Sequence, residues 1–153
     1  TYDSVTAERR VRQFVAKAIK LTDLHRRGVP VHDGHIVFGG DMVEGLFNFP
    51  TQAHEIDATL FEQYVRVARL LVEVVRSALA TFQHVTVTAE WGNHGRIGSK
   101  RDGVPRADNI DRMAFELARQ LLADEDRLTW PDSGEDIQRL VIGNYRALVI
   151  HGD

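Results

Sequence analysis

Apolar and polar positions follow two distinct periods along the chain, one helical and one alternating. Over residues 7–27, Val11, Phe14, Val15, Ala18, Ile19, Thr22 and Leu24 recur at helical spacing with Arg and Lys between them, which predicts an amphipathic helix. Ser4 or Thr6 is expected to cap its start, and Gly28 and Pro30 to stop it. Residues 57–81 carry the strongest helical stripe, with Leu60, Tyr64, Val67, Ala68, Leu71, Val74, Val75 and Leu79 on one side. A third helix is expected over 110–123, turning Met113, Leu117, Leu121 and Leu122 inward. Between these lie runs of another kind. Residues 35–39 form a short apolar run ending in glycine, suited to a buried parallel strand. Residues 84–90 alternate and are rich in β-branched Val and Thr, so they read as the next strand. Near the end, 137–142 and 145–150 flank Gly143-Asn144, a two-residue hairpin signal. The acidic, turn-rich segment 124–136 is expected to be a solvated connection.

Strand, helix, strand, helix and then a hairpin is the order of an α/β layered domain. The 153 residues fit one domain with a real core, and 43% hydrophobic with 27% charged residues is an ordinary globular composition. A net charge of −3 provides no global basic field, so a nucleic acid would be held by a local patch or through metals. The absence of cysteine excludes disulfides and thiolate metal sites. No apolar stretch approaches the roughly 20 residues of a membrane span. No membrane association is therefore expected, and the expected location is the cytoplasm. Thr1 opens the sequence without a methionine, and Asp153 closes it two residues past a candidate ligand. An excerpt of a longer polypeptide, incomplete at both ends, is the expectation.

The expected strands end in a recurring chemistry. Gly40-Asp41, Gly92-Asn93-His94 and His151-Gly152-Asp153 each follow an apolar run, placing an Asp, an Asn and two His at strand ends. Ligands of open α/β sheets bind outside the carboxyl ends of the strands. Carboxylate oxygen, amide oxygen and imidazole nitrogen together suit divalent ions such as Mn²⁺, Fe²⁺ or Zn²⁺.

In their wording, Gly39-Gly40-Asp41-Met42-Val43-Glu44-Gly45, Gly92-Asn93-His94-Gly95-Arg96 and Ile150-His151-Gly152-Asp153 resemble the middle motifs of the calcineurin-like metallophosphoesterases. The same wording resembles a branch common in phage replication modules and often described as exonuclease-like. The resemblance spans most of the chain and implies a layered β-sandwich core flanked by helices. It also implies two divalent metal ions, Mn²⁺ first with Fe²⁺ or Zn²⁺ as alternatives. Asp41 would bridge the two ions, and Asn93 and His151 would ligate the second. His94 would contact the scissile phosphate or protonate the leaving oxygen. The reaction implied is a two-metal hydrolysis of a phosphodiester, with DNA as the expected partner and the host cytoplasm as the setting if phage-encoded. Two departures stand out: Gly95 replaces the acidic residue that often orients the histidine, and the family's opening and closing motifs are missing. Asp153 could orient His94 in place of that acidic residue, and Glu44 reads as an acceptor bracing the loop. Thr22-Asp23-Leu24-His25 spells the opening motif but falls at the end of a helix, too near Asp41 for a crossover, so it is set aside.

Arg96, Lys100, Arg101 and Arg106 crowd the loop after His94, and the first three are expected to track phosphates of a bound strand. Trp91 and Trp130 read as packing residues. Two other functions remain open at this stage. One is a phosphomonoesterase for nucleotides or phosphoproteins; the other is a non-catalytic, polymerase-associated subunit of the same fold.

Overall fold

The computed structural model describes residues 2–98, 103–131 and 137–152. Its elements run α1 (Ser4–His25), β1 (Asp33–Phe38), a 3₁₀ turn at Gln52–His54, α2 (Leu60–Leu79) and β2 (His84–Ala89), then α3 (Ile110–Leu121), β3 (Leu128–Thr129), β4 (Gln138–Ile142) and β5 (Tyr145–Val149). The strands β1, β2 and β3 form a parallel sheet in that order, while β4 and β5 form a separate antiparallel pair. The expected α/β class is therefore observed.

One face of the parallel sheet carries the core. Gly34 and Phe38 of β1 point the same way as Val85 and Val87 of β2, and α2 and α3 cover that face with Leu71, Val75, Ala114, Phe115 and Ala118. Phe38 stacks on Phe115 at 5.9 Å between ring centroids, and Trp130 closes the group at 6.0 Å from Phe38. The opposite face exposes His35 and Val37 and is covered at the carboxyl end of β2, where Gln138 of β4 donates to the buried Glu90 carboxylate at 3.2 Å. The strand at 35–39 is thus parallel, as expected, but buried on one face only. A parallel sheet open on one side is unusual, since crossover helices normally cover both.

Local chemistry explains the helix ends. Thr59 and Glu62 form a reciprocal capping box at the start of α2. Asn109 caps α3 by accepting from the N–H groups of Asp111 and Arg112. At α1 the cap is Asp3, accepting from Thr6 N–H at 2.7 Å, rather than Ser4 or Thr6. Ser4 is committed elsewhere: its N–H and hydroxyl both donate to Asp57 at 2.7 Å, and Arg66 donates to its Oγ at 2.7 Å. With Arg12 bonded to Glu73 at 2.7 Å, these polar contacts hold α1 against α2. No residue of α1 is fully buried, and Phe14, Leu21 and Leu24 remain exposed. The Thr22–His25 segment lies within this helix rather than after a strand.

Two expectations are corrected. Met113 and Leu121 of α3 face outward, whereas Leu122 is buried and Leu117 packs against the core as expected; Ile110, Asp111, Ala114, Phe115 and Ala118 complete the packed face. Small alanines let α3 approach α2 closely, which matters more here than side-chain bulk. The segment 124–136 is not a plain connection: Leu128–Thr129 pairs with β2, and Trp130 is buried. The hairpin is as expected, with Ile142 opposite Tyr145 and Gly143 at φ +56°, the sign that a glycine-first two-residue turn requires. Among the described residues, no helix is long and apolar enough to cross a membrane.

Candidate metal centre

Neighbouring parallel strands bring their carboxyl ends together. Phe38 pairs with Ala89, and Glu90 N–H donates to Phe38 O at 2.9 Å, so the loops beginning at Gly39 and Trp91 leave the sheet side by side. Their contact is too tight for side chains. A Cβ on Gly92 would fall on the backbone nitrogen and Oδ1 of Asp41. A Cβ on Gly40 would lie 2.6 Å from both Gly92 N and His151 Nδ1. The chain turns at Gly40 and Asp41 with φ of +90° and +51°, a left-handed conformation that Asp tolerates better than most residues. That turn directs the Asp41 carboxylate across to the second loop, where Oδ1 accepts His94 N–H at 2.9 Å.

His151 reaches the same point from the end of β5. Its Nδ1 lies 2.8 Å from the carbonyl of Gly39, and its Nε2 lies 3.0 Å from Asn93 Oδ1 and 3.3 Å from Asp41 Oδ2. A carbonyl can only accept, so Nδ1 carries a proton and a neutral ring presents a lone pair at Nε2. Two oxygen lone pairs then face a nitrogen lone pair across about 3 Å. That arrangement is satisfied by a cation among the three atoms, by a second ring proton, or by the Asn93 amide turned to donate through Nδ2. A backbone carbonyl fixing the non-ligating nitrogen is the usual companion of a metal-binding histidine. Asp41, Asn93 and His151 thus fit a divalent ion of borderline hardness through Oδ2, Oδ1 and Nε2. Among the described residues no three His, Asp or Glu side chains group in this way; the amide of Asn93 is the third donor.

His94 is held from two sides. Its ring Nδ1 lies 2.9 Å from the main-chain carbonyl of Glu44, which fixes that nitrogen as a donor and leaves Nε2 for other chemistry. The Glu44 side chain itself is 57% exposed, and its Oε1 lies 3.9 Å from that nitrogen. The same carbonyl accepts from Gln52 Nε2 at 2.8 Å, so Glu44 braces the loop mainly through its backbone. Asp153, Lys100 and Arg101 lie outside the described residues. Arg96 is half-buried beside Asn93, its N–H donating to Asn93 O at 3.3 Å. Arg106 approaches the Glu90 carboxylate at 3.8 Å, so its charge faces a buried carboxylate rather than a free strand.

Asp111 and Asn109 are the residues that sequence reasoning left without a role. The fully buried Asp111 carboxylate accepts three main-chain N–H groups, from Met42 at 3.1 Å, Val43 at 3.2 Å and Gly92 at 2.9 Å. Burial pushes its carboxyl above the ordinary value against the pull of those three donors. Asn109 Nδ2 donates to Gly92 O at 2.8 Å while its Oδ1 caps α3. The start of α3 therefore pins both site loops at once. A signal existed in the sequence: Asp111 shares the i, i+3, i+4, i+7 stripe of Ala114, Phe115 and Ala118, a carboxylate on an inward face.

No family model, no curated protein and no solved structure matches the chain.

Proposed function

We propose that the protein is a metal-dependent phosphoester hydrolase, a phosphodiesterase acting on nucleic acid, of metallophosphoesterase type. The observation that carries this reading is the approach of Asn93 Oδ1 and Asp41 Oδ2 to His151 Nε2, at 3.0 and 3.3 Å, with His94 anchored beside them. These three side chains would hold a divalent ion, Mn²⁺ first among the choices, and a second ion would need donors in addition to them. When bound, the ion supplies Lewis acidity towards phosphoryl oxygens. His94, its Nδ1 committed to Glu44, would hold a proton at Nε2 for the departing oxygen. Asp111 and Asn109 would keep the two loops at the separation this requires. In the same reading the parallel sheet is one layer of a β-sandwich and the β4–β5 hairpin belongs to the other. Arg96 would meet the phosphate backbone next to the reacting bond.

The test is Mn²⁺ binding by calorimetry together with degradation of labelled DNA. The expected result is saturable binding, weakened about 100-fold or more by Asp41→Asn, since even outer-shell changes cost 10–100-fold. Activity should be abolished by His94→Ala with binding retained. Absence of Mn²⁺ binding, or DNA degradation indifferent to both substitutions, rejects the proposal.

A further inference from the structure

A cleft of about 520 Å³ lies between the first turns of α1, the loop after β1 and the start of α2, and Asp41 and His94 form part of its wall. That volume is in the range of small-molecule sites. Val11, Met42, Val43, Ile56, Val67 and Leu70 give it a largely apolar lining. Its charged lining is mostly acidic: Asp3, Glu8, Glu44, Glu55 and Asp57 join Asp41, with Glu8 paired to Arg12 and Asp57 bonded to Ser4, against Arg66, whose guanidinium is bonded to Ser4 Oγ.

We infer that this cleft receives the uncharged nucleoside part of the phosphoester, its phosphate resting at Asp41, Asn93 and His151; the inference builds on the function proposed above. Apolar walls suit a base and a sugar ring, which bury surface without bringing charge. The carboxylates accept hydrogen bonds from amino and hydroxyl groups but repel a second phosphate. A continuing polyanionic strand is thereby turned away from this side of the site. The substrate ends in the cleft, as a terminal nucleotide or a simple nucleotide ester.

Calorimetric titration of the whole chain with 2′-deoxyadenosine, its 5′-monophosphate and its 3′,5′-bisphosphate, each with and without Mn²⁺, separates the cleft from the metal centre. Deoxyadenosine, which has no phosphate, is expected to bind saturably without metal. Val11→Trp, filling the cleft, should weaken it at least about tenfold. The monophosphate should bind more tightly than the bisphosphate. Ala7→Trp, one turn earlier on the same wall, serves if Val11→Trp does not fold. No saturable deoxyadenosine binding, indifference to the filling substitution, or tighter binding of the bisphosphate overturns the inference. Failure of Mn²⁺ to tighten the monophosphate, with deoxyadenosine binding intact, overturns the metal-centre reading and leaves the cleft standing.

Discussion

Gly92 and Asp111 hold the centre together in complementary ways, one by lacking atoms and the other by supplying them. Where Gly92 passes Asp41, a single added methyl group would collide with backbone and carboxylate rather than with a yielding side-chain tip. Gly92→Ala should therefore destabilise the fold by about 1–3 kcal/mol, the usual range for overpacking, read as a lower urea midpoint at unchanged slope. It should weaken metal binding too, because Asp41 would have to retreat from His94 N–H. Asp41, Asn93, His94 and His151 were legible as a set because each follows a strand-forming run and glycines punctuate the turns. For Asp111 the helical stripe marks only an inward carboxylate; its role emerges once the three N–H groups it gathers, from positions far away in sequence, are in place.

Among the elements, α1 depends on polar ties more than on burial. Arg12 holds the Glu73 carboxyl below its ordinary value of 4.5, and the N–H and hydroxyl of Ser4 hold Asp57 below 3.8. A lowered native value means that the contribution is complete above the unfolded-state value and is lost as pH falls through the native one. Hydrogen exchange should accordingly show α1 amides losing protection below about pH 4 while α2 and β2 amides remain protected. Equal loss in all three would show that α1 is not held by these carboxylates. The elements themselves were readable to different degrees. Long periodic stretches such as α2, and β-branched runs such as β2, declare themselves locally. The strand at Leu128–Thr129 is too short to show a period and exists only because β2 offers an edge. The outward placement of Met113 and Leu121 went unread because bulk was weighed above the close approach that Ala114 and Ala118 permit.

At the scale of the molecule the described residues form two separate sheets, and what joins them bears on how the protein would respond to its ligand. The hairpin exposes Val141, Ile142, Tyr145 and Leu148, so little apolar surface fastens it to the rest. Its attachments lie at the open end, where Gln138 pairs with Val149: they include Gln138 on Glu90 and, just past β5, His151 on Gly39, Asn93 and Asp41. The second of these is the proposed metal centre itself. An ion bound there would act as a rivet between the two sheets, fastening the end of β5 to the loops after β1 and β2. Exchange of β4 and β5 amides should slow on adding Mn²⁺, with β1 and β2 little altered, and the effect should vanish in His151→Ala. In the proposed reading, ion binding and the cohesion of the two sheets would then rise and fall together through His151.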